Sequence, residues 1–329
     1  MRYIQAFFRN LKQRSNGEVI VMNREDVLTM LGQFPTVSKQ RYSRVLEERT
    51  AEWSRYKIWY ETEPGEEVLA WLLVPSGRKN SGPAVVACHQ HGDEYFVGKA
   101  EPIGLYAQAA NTFALTLCRA GYVVLCPDML GFEDRRPPEL VRKSVPGLAD
   151  GQYERHLFME YLLHGSTLQA KYIADLTRAV DVLAAQPETD PNRIGAVGHS
   201  LGGQEALWLF WYDLRVRALV TSCGFCNIKD LQQRGINHNY AMYLPGFLNK
   251  GDMQDIVTML CPRPVCVCHG AQDPIYPVDS VQQVIDRAEQ VYRDAGCTDH
   301  FQSAIFPNAG HVFEEEQQKY AIDFLNKWL

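Results

Sequence analysis

Apolar positions along the chain fall into two patterns. Short unbroken runs, "PAVVAC", "YVVLCPD", "IGAVG", "RALVTS", "RPVCVCHG" and "FQSAIF", read as buried strands. Between them apolar residues recur every three or four positions. This predicts helices over about 103–119, 168–185 and 278–294, one starting at Leu201 and a last one running to Leu329. Ahead of these, "YKIWYET" and "EEVLAWLLVP" flank Pro64-Gly65 and read as an antiparallel hairpin, making eight strands in all. Alternating strands and helices predict an α/β fold: an eight-stranded, mostly parallel sheet with helices on both faces.

Two regions depart from this rhythm. Residues 1–55 read as a polar-faced helical extension, with Asn23 capping "REDVLTMLGQF". Within the catalytic-sized unit 56–329, the segments of about 132–165 and 225–255 interrupt the alternation. Both follow strand C-terminal ends, where open α/β sheets bind ligands, and are expected to form cap-like insertions.

Composition narrows the function classes. The chain has 329 residues, 46% apolar and 22% charged, enough for one large α/β domain. A net charge of −6 argues against nucleic acid as partner. No apolar run approaches the ~20 residues of a membrane span. "MRYIQAFFRNLKQRSNGE" lacks the long apolar core of a signal peptide. The nine cysteines are an odd number, and Cys88, Cys126, Cys266 and Cys268 sit in apolar runs. A reducing cytoplasm is expected. Cys223 and Cys226 have redox-motif spacing without a thioredoxin-like flank, and read as buried thiols.

The strand "RIGAVG" runs straight into His199, Ser200, Leu201 and two glycines, and then a helix. Gly198-His199-Ser200-Leu201-Gly202 fits G-x-S-x-G, a strained turn that lifts a serine hydroxyl above the sheet. Serine needs a base and an orienter to act as nucleophile. Asp273 lies in the loop after "RPVCVCHG", and His311 in the loop after "FQSAIF". Both loops leave the sheet edge that carries Ser200. Acyl transfer also needs oxyanion donors: the Leu201 main-chain N–H is one, and the His91 N–H in "CHQHGDEYFVG" is the second, with Gln90 as rival. His89 reads as a buried histidine that shapes this loop. The His89/His91 pair has no third ligand of matching character, so no metal is expected. Gln90, His238, Tyr240, Tyr243 and the run 133–136 are candidate pocket walls. Glu160 and His164 read as a structural pair one helical turn apart, and Glu205 as a helix-packing residue before a backup carboxylate.

These motifs, "HQHG", "GYVVLCPDMLGFEDR", "DPNRIGAVGHSLGG", "CPRPVCVCHGAQDPIYP" and "NAGHVF", resemble the α/β-hydrolase superfamily. Within it the likeness is to dienelactone-hydrolase-like and acetyl xylan esterase-like serine hydrolases. The order serine, aspartate, histidine is that of the superfamily. Two departures stand out. Ser200 occupies the place of the cysteine nucleophile of dienelactone hydrolase, which favours esters over enol-lactones. Gln90 stands where related esterases often have glycine. The resemblance implies two-step acyl transfer on a small-molecule or saccharide ester, such as an acetylated or uronate-esterified sugar, with no cofactor. A prolyl-oligopeptidase-type peptidase or amidase, an acyltransferase or releasing enzyme, and a non-catalytic binding protein remain open. The oligomeric state is not fixed by the sequence.

Overall fold

The computed structural model describes residues 22–36, 41–78, 80–106 and 111–329. Its sheet has nine strands: β1 (Tyr42–Arg49), β2 (Trp53–Glu63), β3 (Glu66–Pro75), β4 (Gly82–Cys88), β5 (Val123–Pro127), β6 (Thr189–His199), β7 (Val216–Ser222), β8 (Val265–Gly270) and β9 (Phe301–Phe306). The described helices are α1 (Arg24–Leu31), α2 (Phe113–Arg119), α3 (Glu139–Ser144), α4 (Asp150–Leu163), α5 (Leu168–Ala184), α6 (Leu201–Tyr212), α7 (Ile228–Arg234), α8 (Phe247–Lys250), α9 (Met253–Thr258), α10 (Val278–Asp294) and α11 (Glu315–Trp328).

The strands lie in the order β1-β2-β3-β5-β4-β6-β7-β8-β9. β1 to β3 and the β3–β5 pair are antiparallel, and the rest of the sheet is parallel. The strands that follow β4 lie on opposite sides of it, β5 on one and β6 on the other. The chain therefore reverses direction across the sheet at β4 and β6, the kind of switch point at which open α/β sheets bind ligands. Alternate residues of the central strands feed two cores. Ala84, Val86, Val123 and Leu125 pack with α1, α5, α6 and α10. Val85, Ala87, Val124 and Cys126 pack with α2 and α11 on the other face.

Two expectations change. The ninth strand, β1, lies in the extension read as helical. It pairs antiparallel with β2 and is almost wholly exposed. With neither face buried, it lacks the alternation that would mark a strand. Residues 1–21 and 37–40 of that extension lie outside the described residues, whereas Asn23 does cap α1. Its side chain accepts from the N–H groups of Glu25 and Asp26, and Asp26 closes the capping box. Second, the helix expected from about 103 begins only at Phe113. The Glu101–Gly104 turn, with Gly104 at φ 74°, occupies the expected first turn.

Both insertions are largely helical. The first holds α3 and α4, the second α7, α8 and α9. All nine cysteines are free, and Cys223 and Cys226 are buried. Among the described residues, no helix is long and apolar enough to cross a membrane.

Candidate active site

Ser200 stands between β6 and α6 at φ 57°, ψ −122°, a conformation that costs a non-glycine residue on the order of 1–3 kcal/mol. The neighbouring glycines make room for it. A Cβ at Gly198 would overlap the carbonyl of Gly202, and a Cβ at Gly202 would overlap that of Cys88 at the end of β4. The turn is anchored by the Ser200 N–H, which donates to Ser222 O at 2.9 Å.

The Ser200 hydroxyl lies 2.7 Å from His311 Nε2, and His311 Nδ1 lies 2.7 Å from Asp273 Oδ2. The other Asp273 oxygen accepts from the N–H groups of Ile275 at 2.8 Å and Tyr276 at 3.0 Å. Burial alone would raise the Asp273 carboxyl, but these partners, His311 foremost, hold it down to about 2. An ionised Asp273 fixes the His311 proton on Nδ1 and leaves Nε2 to accept from the serine. His199, fully buried next to Ser200, is pushed down to about 3 by burial and by the nearby His311, and stays neutral.

Leu201 opens α6, so its N–H has no acceptor within the helix. In the loop after β4, the His91 N–H meets no acceptor among the described residues. The His91 ring is fixed from both sides: Nδ1 accepts from the Asp93 N–H at 3.1 Å, and Nε2 faces Glu154 at 2.9 Å. His89 is fully buried. Its Nδ1 donates to Gln90 O at 2.8 Å and its Nε2 accepts from the Met129 N–H at 3.0 Å, so it shapes the loop.

The second insertion brings His238 next to the aspartate–histidine pair. Its Nδ1 accepts from Asn239 Nδ2 at 2.6 Å and faces the Tyr276 hydroxyl at 3.3 Å, while the Tyr276 ring lies 6.0 Å from that of His311. Burial, with His91 and His311 near, pushes the His238 imidazole down to about 3. With Nδ1 accepting, the proton of this neutral ring sits on Nε2. Tyr243 accepts from the His238 N–H through its hydroxyl at 3.3 Å. The Tyr240 ring packs 5.5 Å from Phe158 of α4. Gln90 commits its side-chain amide to Glu101, at 2.8 and 2.9 Å.

Residues 133–135 of the run 133–136, expected as pocket wall, are held in ion pairs. Glu133 and Asp134 join Asp128 around the buried Lys99 ammonium, at 2.8, 2.6 and 2.6 Å. Arg135 pairs with Asp175 and Glu66. His164 bonds the Glu160 carbonyl rather than its carboxylate. Glu205 is fully buried and bonded by Gln169 and Gln204.

A model of the dienelactone hydrolase family matches residues 100–325. The chain belongs to the dienelactone hydrolase family. Beyond that, it is 29% identical over 267 residues to YtaP of Bacillus subtilis, a candidate hydrolase, covering 80% of this chain and 84% of that one. Two solved structures share the fold at 15% identity. One is BF1801 of Bacteroides fragilis, a candidate acetyl xylan esterase, with a TM-score of 0.72 over 92% of this chain and 82% of the other. The second is a glucuronoyl esterase from Solibacter usitatus, with a TM-score of 0.66 over 90% and 88%.

In this member of the dienelactone hydrolase family, four side chains near the site escaped the sequence reading: Tyr95, Glu154, Asn239 and Tyr276. Tyr276 had a usable signal, lying in the same short loop as Asp273. Glu154 had none, because its partners lie 59 to 86 residues away in the chain.

Proposed function

We propose that this chain is a serine carboxylic ester hydrolase working through Ser200, His311 and Asp273. The observation that carries the reading is the pair of 2.7 Å contacts that runs from the Ser200 hydroxyl through His311 to the Asp273 carboxylate. Ser200 Oγ attacks the ester carbonyl carbon and passes its proton to His311 Nε2. The carbonyl oxygen becomes an oxyanion held by the main-chain N–H groups of Leu201 and His91. Collapse expels the alcohol, which takes the proton back from His311. Water, deprotonated by the same imidazole, then attacks the acyl-serine and releases the acid. Asp273 stays ionised throughout and stabilises the imidazolium.

The substrate proposed is a small-molecule or saccharide ester, an acetylated or uronate-esterified sugar. The names of the structural neighbours support that class. Residues His238, Tyr240 and Tyr243 of the second insertion bind it. Nine free thiols suit a reducing cytoplasm. The test is a fluorophosphonate probe, expected to label Ser200 in the native chain. Ser200→Ala should lower kcat on p-nitrophenyl acetate by on the order of 10⁴ to 10⁶ with the fold intact. Unchanged turnover in that variant, or labelling at another residue, would sink the proposal.

A further inference from the structure

One buried carboxylate ties together three chain segments around the site. Glu154, on α4 in the first insertion, is only 2% exposed. Its Oε2 accepts from the Tyr95 hydroxyl at 2.7 Å and from His91 Nε2 at 2.9 Å. Its Oε1 accepts from the Tyr240 N–H, in the second insertion, at 2.9 Å. The aromatic rings around it are packed against one another. His91 lies 4.9 Å from Tyr95 and 5.1 Å from Phe132, and Tyr95 stacks on Phe132 at 5.0 Å. A fully bonded buried carboxylate of this kind leaves the His91 ring a single orientation. The Asp93 N–H to Nδ1 closes the other side of the ring.

We propose that Glu154 is a positioning residue: through the His91 ring it holds the His91 peptide N–H where the oxyanion forms, and through the Tyr240 N–H it keeps the substrate-facing insertion in register with that point. The inference rests on the serine esterase reading above. Glu154 touches neither substrate nor reacting atoms. On a small ester it acts on the transition state through the main chain of residue 91. An oxyanion donor displaced from its position weakens transition-state binding more than ground-state binding, so the loss belongs in kcat. The small substrate p-nitrophenyl acetate makes little use of the insertion and reports the His91 arm alone.

The experiment compares Glu154→Gln, His91→Ala and the double variant on p-nitrophenyl acetate, with active sites counted by fluorophosphonate labelling. His91→Ala removes the ring and keeps the peptide N–H. Each single variant should lose about tenfold to a hundredfold in kcat per labelled site, with KM changed by no more than about threefold. The double variant should be no worse than the poorer single, because both changes break the same link. A wild-type kcat per site in Glu154→Gln overturns the proposal, as do losses that multiply in the double variant. If Glu154→Gln does not fold, His91→Ala decides alone, and full kcat there is equally fatal. Ser200→Ala serves as the control: if it stays active, the esterase reading has failed. An inactive Ser200→Ala beside a fully active Glu154→Gln removes the positioning role only.

Discussion

The Tyr276 hydroxyl meets Nδ1 of His238 at 3.3 Å, while the main-chain N–H of the same tyrosine donates to Asp273 at 3.0 Å. One residue thus touches both the acid of the proposed triad and the insertion above it. Tyr276→Phe keeps the N–H and removes the hydroxyl. Turnover of p-nitrophenyl acetate should change little. The kcat/KM for a bulky acylated sugar should fall by up to about tenfold, as the His238 ring loses one of its two partners and is held by Asn239 alone. Steady-state assays on both esters check this, and equal losses on the two would show that the hydroxyl supports the triad instead.

Asp273→Asn addresses the other end of that link. Asparagine fills the same space but cannot stabilise an imidazolium and favours the wrong His311 tautomer. The expected loss in kcat is about 10⁴ on every ester, activated acetates included. A variant that loses only bulky substrates would place Asp273 in binding and not in proton transfer.

Chelation should leave ester hydrolysis unchanged. The nitrogens a metal would need from the H-x-H pair are taken: His89 Nε2 by the Met129 N–H and His91 Nε2 by Glu154. Assays before and after EDTA and desalting decide the matter, and activity lost to EDTA and restored by zinc would contradict it.

Glu205 makes stability depend on pH. Burial raises its carboxyl to about 8, and the amides of Gln169 and Gln204 offset only part of that. The folded chain therefore keeps a proton that the unfolded chain gives up near the ordinary value of 4.5. The contribution is complete below that value, shrinks as pH rises towards 8 and is gone above it, a change on the order of a few kcal/mol. Glu205→Gln, neutral at every pH, should flatten the fall in Tm between pH 5 and pH 9. Calorimetry of both proteins across that range tests it, and parallel curves would refute the assignment.

The parallel part of the fold and the serine, aspartate and histidine were legible because their signals are local. Continuous apolar runs mark the buried strands, and each of the three residues sits just past the end of one. Ser200 carries further information, since Gly198 and Gly202 are required by close backbone contacts within a few residues or across one strand pair. Glu154 and Asn239 were not legible. Each is an ordinary polar residue whose meaning comes from partners folded against it from distant segments. β1 was hidden for the opposite reason, having almost no buried contacts to shape its sequence.

That bare strand also bears on how molecules of this chain meet one another. Among the described residues β1 ends the sheet, and an edge strand offers main-chain groups that another sheet could extend. Ionic side chains crowd the same margin: Arg44 pairs with Glu188, Glu48 with Arg55 and Glu47 with Lys57. An approaching edge would have to desolvate them. The margin works as a colloidal guard, one that concentrated salt weakens by screening. Exchanging Arg44 and Glu48 for threonine or valine would turn the same eight residues into a template for aggregation, with the catalytic edge of the sheet untouched.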